Sequence, residues 1–156
     1  PRRGNVGIFD RSHYEDVLIV RVHDFVPKSV WSKRYEQINV FEKILARNDT
    51  HILKFYLHIS KDEQLERFRD RLEDPTKHWK INPADFEERK HWGNYVRAYE
   101  TALSKCSTRH APWFIIPANK KWFRNYAITE ILVEHLSALR MKFPKPTADV
   151  SHIELK

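Results

Sequence analysis

An acid, a base and a hydroxyl follow one another at Asp10, Arg11 and Ser12, directly after a short apolar run from Val6 to Phe9. Such a run, bounded by polar residues, is typical of a buried parallel strand, although its length also allows a helix segment. In a strand, Asp10 stands at the carboxyl end, the edge at which α/β sheets bind ligands. A carboxylate there can hold Mg²⁺ next to phosphate oxygens, and an adjacent arginine can bind a phosphate through two hydrogen bonds. The alternative is that the acid and the base only pair with each other or cap the next helix.

A second group of basic residues lies further along the chain, in a charged helix and the linker after it. The four candidates for phosphate binding are Arg67, Arg71, Lys77 and Lys80. Arg67 and Arg71 are four residues apart on one face of a helix, where like charges destabilise each other mildly. Glu63 offsets Arg67 at the favourable spacing, whereas Arg71 has no such partner, and an anionic ligand would supply one. The alternative is a solvated helix whose surface ion pairs contribute little.

The pattern of apolar residues predicts the elements that position these side chains. Helices are predicted over 31–47, 60–73, from 82 to at least 103 and over 120–143, with a buried strand over 51–59 and a short strand over 113–116. Ser60 with Glu63 forms a capping box, and Asn82 before Pro83 marks a helix start. Segment 13–23 stays open, because its β-branched residues favour a strand and its early acids favour a helix. The alternation predicts an α/β fold with a parallel sheet.

The composition restricts the class of protein. The 156 residues are enough for one domain, and 28 Lys and Arg against 21 Asp and Glu give a charge of +7, which favours an anionic partner. The single cysteine, Cys106, excludes an internal disulfide and suits a reducing cytoplasm, where we expect it to be an inert thiol. No apolar run reaches the length of a membrane span, and the start is no signal peptide. Since there is no initiator Met and the chain enters almost directly into a predicted strand, we expect residues upstream.

Several runs in order resemble the polyphosphate kinase type two family. They are GIFDRSHYEDVLIVRVH, WSKRYEQINVFEKIL, ILKFYLHISKDEQLERFRDRLEDPTKHWKI, WGNYVRAYETAL and APWFIIPANKKWFRNYAITEIL. The resemblance implies a three-layer α/β/α, P-loop kinase-like fold related to thymidylate kinase. It implies transfer of phosphate between inorganic polyphosphate and nucleoside mono- or diphosphates, with Mg²⁺. Whether AMP, ADP or both accept phosphate stays open.

The resemblance also assigns roles to residues. It places Asp10 and Arg11 in the second nucleotide-kinase motif, for metal and phosphate, with Ser12 beside them and Asp16 or Glu15 as a further metal ligand. It makes segment 13–23 helical. It places the four basic candidates in a mobile lid, about residues 61–82, that closes over the phosphates. We expect catalysis from Asp10, Arg11, Arg67 and Arg71, and phosphate binding from Arg11, Ser12, Arg67, Arg71, Lys77 and Lys80.

The family's first motif, a glycine-rich loop with a lysine, is absent from these residues, which contain only 3 glycines. We therefore expect residues 1–143 to be the carboxyl-terminal part of a catalytic domain, residues 144–156 to be an extended tail, and the chain alone to be inactive. The expected partners are polyphosphate and AMP, ADP or ATP in a cytoplasmic homo-oligomer, without nucleic acid or membrane. Two alternatives remain: an ATP-dependent nucleotide kinase of the same fold, and a non-catalytic polyanion or nucleic-acid binder whose five Trp residues supply stacking platforms.

Overall fold

The computed structural model describes residues 1–145 and residue 147. Its α-helices are α1 (Ile19–Val22), α2 (Lys28–Trp31), α3 (Arg34–Arg47), α4 (Lys61–Glu73), α5 (Pro83–Glu88), α6 (Trp92–Cys106) and α7 (Lys121–Ala138). Short 3-10 helices lie at His13–Val17, Pro75–Lys80 and Arg89–His91. The strands are β1 (Lys54–His58) and β2 (Trp113–Pro117). None of the described helices is both long enough and apolar enough to cross a membrane.

The two strands form a parallel pair, which confirms the predicted α/β class. Lys54 pairs with Trp113 at one end and His58 with Pro117 at the other. Parallel partners need a long crossover, and helices α4 to α6 provide it. Because the strands run in the same direction, the residues after His58 and Pro117 meet at one edge of the sheet. The backbone continues this pairing one step further, where the N–H of Ala118 donates to the carbonyl of His58 at 2.8 Å.

The prediction of a buried strand from Val6 to Phe9 is wrong. This run pairs with no strand among the described residues, and Val6, Ile8 and Phe9 are 81%, 93% and 77% exposed. A strand is stabilised by hydrogen bonds to a neighbouring strand and by packing on its faces. Here the run has neither, so its apolar composition does not make it part of the sheet.

The burial predicted for strand β1 also needs correction. Its position is confirmed, but only Lys54, its first residue, is buried, while Leu57 is 44% exposed. Most side chains of both strands are partly or fully exposed, so both faces of this two-stranded sheet are only partly covered. Lys54, the buried residue of β1, is held by hydrogen bonds to Tyr14, Glu42 and the Cys106 carbonyl.

Local helix signals are largely confirmed. Segment 13–23 is helical, as a 3-10 turn followed by α1. Asn82 caps α5 through its side chain, and the Ser60 Oγ accepts from the Glu63 N–H at 3.1 Å. The other half of the predicted capping box does not form, because the Ser60 N–H donates to Asn119 Oδ1 instead. The start of α4 is thus tied to the residues after β2.

The helix predicted from residue 82 is interrupted by the 3-10 turn Arg89–His91, so α5 and α6 are separate. The buried face of α6 does not include its aromatic residues Trp92, Tyr95 and Tyr99. That face consists of Ala98, Ala102 and Cys106, which are at most 1% exposed. Small side chains let α6 approach the core closely, which an aromatic stripe would prevent.

The apolar core lies between the first 3-10 helix and helices α1, α2, α3 and α6. Its buried members are Tyr14, Val17, Leu18, Trp31, Tyr35, Ile38, Ala98, Ala102 and Cys106.

Helix α7 ends at Ala138 instead of near 143, because Arg140 takes a left-handed conformation (φ 49°) that terminates a helix. The tail predicted over 144–156 lies mostly outside the described residues.

Candidate active site

The turn Asp10–Ser12 presents its side chains to solvent. Arg11 has a φ of 80°, in the left-handed region that non-glycine residues rarely adopt. Ser12 caps the following 3-10 helix, since its Oγ accepts from the Tyr14 N–H at 3.4 Å. Asp10 makes no hydrogen bond or ion pair within the described part of the chain. The turn therefore offers a carboxylate and a guanidinium that are not engaged with each other.

The two further candidates for metal binding differ in their surroundings. Asp16 Oδ1 accepts from Arg34 Nη1 at 3.2 Å, so this carboxylate already has a cation beside it. Glu15 and Arg11 both act electrostatically on Tyr99. Burial, together with the nearby Glu15 and Tyr56, raises the pKa of Tyr99 to about 12, although Arg11 opposes the rise. Glu15 makes no side-chain hydrogen bond or ion pair within the described residues, so it is less engaged than Asp16.

Arg67 lies at the carboxyl edge of the sheet. Its Nη2 donates to the carbonyl of Ala118 at 2.7 Å, and its Nε donates to Glu63 Oε1 at 2.9 Å. The predicted Glu63–Arg67 pair is thus present, and Ala118 adds a backbone contact that the spacing could not reveal. Asn119 fixes the start of α4 through Ser60. This edge holds a cation in a defined position beside the start of α4.

Arg71, one turn further along α4, has no hydrogen bond or ion pair among the residues that the structure describes. Its guanidinium lies 5.7 Å from the centre of the Phe68 ring. It lines a small surface depression with Phe68, Ile81 and Asp85. Of the two arginines on this helix face, Arg71 is therefore the one with free hydrogen-bond donors.

The two lysines of the predicted lid lie in the 3-10 helix after α4. Lys77 Nζ is 2.7 Å from Asp74 Oδ2, and hydrogen bonds from Lys77 and Thr76 lower the pKa of Asp74 to about 2. Lys80 Nζ lies 4.9 Å from the centre of the Trp79 ring, which is 80% exposed. No hydrogen bond or ion pair within the described residues joins the Asp10–Ser12 turn to any of the four basic candidates.

The end of α5, which follows the predicted lid, is linked to the residue after α1. His23 Nε2 lies 3.0 Å from Glu88 Oε2, to which the Tyr95 hydroxyl also donates at 2.7 Å. The hydrogen bond with His23, and to a smaller extent the one from Tyr95, lowers the pKa of Glu88.

Within the described residues, no group of three or more His, Cys, Asp or Glu side chains is arranged to hold a metal ion.

A buried polar cluster near the turn was missed by sequence reasoning. Lys54 Nζ donates to Glu42 Oε2 at 2.6 Å, to the Tyr14 hydroxyl at 2.7 Å and to the carbonyl of Cys106 at 2.8 Å. Burial lowers the pKa of Lys54. Burial opposes ionisation of Glu42, but hydrogen bonds from His13 and Lys54 outweigh it and hold the Glu42 pKa below its usual value. Two features of the sequence could have indicated this cluster: Lys54 is the only charged residue (Lys, Arg, Asp or Glu) in the predicted strand 51–59, and Glu42 lies on the apolar face of α3.

Comparison with known proteins agrees with the resemblance. The model of the family described as Polyphosphate kinase 2 (PPK2) matches residues 1–144. An AMP/ADP-polyphosphate phosphotransferase of Meiothermus ruber is 54% identical over 146 residues, 94% of this chain and 55% of the relative. An ADP-polyphosphate phosphotransferase of Rhodopseudomonas palustris is 43% identical over 159 residues, with the same shares covered.

A solved structure gives the same result for the fold. The crystal structure of Polyphosphate Kinase 2 from Arthrobacter aurescens TC1 superimposes with a TM-score of 0.94 at 47% identity, covering 97% of this chain and 53% of that one. The chain thus spans about half the length of these relatives. On the family match and the identities together, the chain belongs to the polyphosphate kinase 2 family.

Proposed function

We propose that this chain forms part of a Mg²⁺-dependent phosphotransferase that moves phosphate between inorganic polyphosphate and AMP or ADP. The observation that carries the proposal is the position of α4, whose first turn and Arg67 lie at the carboxyl edge of the parallel sheet. Ligands of open α/β sheets bind at this edge. The names of the relatives, which describe transfer between polyphosphate and AMP or ADP, support the same substrates.

The Asp10–Ser12 turn is assigned to metal and phosphate. Mg²⁺ is usually held by one or two carboxylates together with substrate phosphates and waters, so it needs no cage of protein ligands. The free carboxylate of Asp10 fits this requirement, whereas Asp16 would have to share its charge with Arg34. Glu15 is the better second candidate. When bound, Mg²⁺ would neutralise charge on the phosphate oxygens, while Arg11 and Ser12 orient them.

The lid, residues 61–82, is assigned to the phosphate chain. Arg67 is held by protein acceptors, so it supplies a fixed positive charge at the sheet edge. Arg71 has free donors and is the residue that gains a partner when an anion arrives. Lys77 and Lys80 extend the positive charge along the next segment. Phosphoryl transfer needs little covalent participation by protein, so positioning and charge neutralisation account for most of the proposed catalysis.

We further propose that the fold is of the three-layer P-loop kinase type, and that the glycine-rich loop which cradles the transferred phosphates is not among these 156 residues. The backbone N–H groups and lysine of such a loop hold the phosphates in related enzymes. The proposed protein acts in the cytoplasm as a homo-oligomer and binds no nucleic acid.

The test is a chimera in which these residues replace the matching part of the Meiothermus ruber protein. We expect ATP to form from ADP and polyphosphate, or ADP from AMP and polyphosphate, only with Mg²⁺. A folded chimera that uses ATP but not polyphosphate as donor would establish the nucleotide-kinase alternative. Binding of single-stranded DNA with greater affinity than polyphosphate at equal salt would favour the non-catalytic binder.

A further inference from the structure

Tyr14, Glu42 and Lys54 form a buried cluster. Its member Tyr14 lies two residues after Ser12, the last residue of the turn that contains Arg11. We propose that this cluster is a positioning device, which holds the Asp10–Ser12 turn in the conformation that binds phosphate. The role in phosphate binding rests on the proposed function, whereas the mechanical link between cluster and turn does not.

The cluster joins four elements through a closed set of hydrogen bonds. Lys54 at the start of β1 donates to Tyr14 of the first 3-10 helix, to Glu42 of α3 and to the backbone at the end of α6. The Tyr14 hydroxyl in turn donates to Glu42 Oε1 at 3.0 Å. Lys54 and Glu42 are 8% and 0% exposed and Tyr14 is 2% exposed, so solvent does not replace these contacts. The position of the 3-10 helix is therefore fixed relative to the sheet.

The first 3-10 helix passes this constraint on to the turn. His13 Nε2 lies 3.4 Å from Glu42 Oε1, and the Ser12 carbonyl accepts from the Glu15 N–H at 3.1 Å. Arg11, immediately before Ser12, has the left-handed φ of 80°. Such a conformation is unfavourable for a residue with a side chain and persists where the surrounding structure determines it. The cluster fixes the backbone three residues further on, at Tyr14.

Stability alone does not account for the cluster. A buried ion pair often contributes no more to folding than apolar side chains of similar volume, because removing two charges from water is costly. Its directional hydrogen bonds, in contrast, define one position for the tyrosine and the helix that carries it. The cluster is therefore better explained by the geometry that it imposes than by the free energy that it adds.

The experiment separates geometry from stability with three variants of the 156-residue chain. Lys54→Met combined with Glu42→Met removes both charges and keeps apolar volume, while Tyr14→Phe removes a single hydroxyl and remains informative if the double variant does not fold. Tyr35→Phe is the matched control, because Tyr35 is 3% exposed in the same core and its hydroxyl accepts only from Arg21 in the described contacts. NMR chemical shifts of Arg11 Cα and Cβ report its backbone conformation without any ligand.

We expect Arg11 to show left-handed shifts in the wild type and in Tyr35→Phe, and to lose them in the two cluster variants while α6 and β2 keep native shifts. Retention of left-handed shifts in folded cluster variants, or their absence from the wild type, would overturn the proposal. This readout decides the mechanical link even if the chain binds no polyphosphate, a result that would count only against the proposed function.

A second measurement tests the consequence for phosphate. We expect Tyr14→Phe to weaken polyphosphate binding about fivefold in the wild-type background and to have no further effect in an Arg11→Ala background. A merely structural role would weaken binding equally in both backgrounds, and that additive result would contradict positioning through Arg11. Tyr35→Phe should leave the affinity unchanged in both.

Discussion

Arg67 and Arg71 lie on one face of α4, but their replacement by alanine should affect different properties: stability for Arg67 and polyphosphate binding for Arg71. Arg67→Ala removes a charged donor from the Ala118 carbonyl at 2.7 Å and from Glu63 at 2.9 Å. A hydrogen bond from a charged group contributes about 1.5–3 kcal/mol, and a partly exposed i,i+4 pair about 0.3–0.5 kcal/mol. Since Ala118 is buried and its carbonyl loses this donor, we expect a loss of about 2 kcal/mol.

Arg71→Ala removes only the contact with Phe68, at 5.7 Å from the ring centre. A cation–π contact this close to the distance limit and partly in solvent contributes about 0.5 kcal/mol. The control is Arg69→Ala, whose side chain is 55% exposed and pairs with Glu66 on the same helix. We expect this surface pair to contribute no more than about 0.5 kcal/mol.

The assay measures thermal unfolding of the three variants and, separately, their affinity for polyphosphate by calorimetry. About 2 kcal/mol corresponds to a fall in Tm of about 4–8 °C for a chain of this size, expected for Arg67→Ala alone. Arg71→Ala should instead weaken polyphosphate binding with Tm nearly unchanged, and Arg71→Lys should restore it only in part, because lysine lacks the planar fork. Equal falls in Tm for Arg67→Ala and Arg71→Ala would refute the distinction between an anchored and a free arginine.

Three other outcomes are expected. In a phosphotransfer-competent protein that contains these residues, Asp10→Asn should weaken Mg²⁺-dependent turnover and Arg11→Ala should lower it at least about tenfold, with the fold intact by circular dichroism; full activity of both would exclude the turn from the site. The 156 residues alone should form no ATP from polyphosphate and ADP, which a luciferase assay can check. Because Lys77 and Thr76 lower the pKa of Asp74 to about 2, that carboxylate should stabilise residues 74–80 above about pH 4 and lose this effect as the pH falls towards 2. The hydrogen-exchange protection factors of these residues, which remove the intrinsic pH dependence of exchange, should fall over this range in the wild type and stay constant in Asp74→Asn.

Signals that act over a few residues predicted the structure well. The caps at Ser60 and Asn82 place the starts of α4 and α5 correctly, and α4 ends at Glu73 as predicted, because a helix terminus is decided by the side chains next to it. The positions of β1 and β2 follow from their composition, and the parallel class follows from the helices between them. The family resemblance resolved segment 13–23, which propensity left open.

Features that depend on distant partners were not predicted. The run Val6–Phe9 has a strand's composition, but a strand exists only beside another strand, and the local pattern does not show which neighbour is present. Lys54 and Glu42 were hidden for the same reason, since each looks like a solvated charge until the other is known to face it. The carbonyl that anchors Arg67 lies 51 residues away in the chain, beyond any spacing rule. The assigned roles of the site residues stay predictions.

The first half of α4 is anchored through Ser60 and Arg67, so only the short part of the helix after Arg67 is displaced when the helix tilts. Six residues separate Arg67 from Glu73 at the end of the helix, a length of about 9 Å, so a tilt of about 20° about Arg67 displaces the tip by only about 3 Å. Larger travel has to come from the joints at Asp74 and Ile81, where the backbone is extended (ψ 104° and 123°) on either side of the 3-10 helix. In a closing motion, Arg67 would then stay in place as the pivot, and Lys77 and Lys80 would be the charges carried towards it.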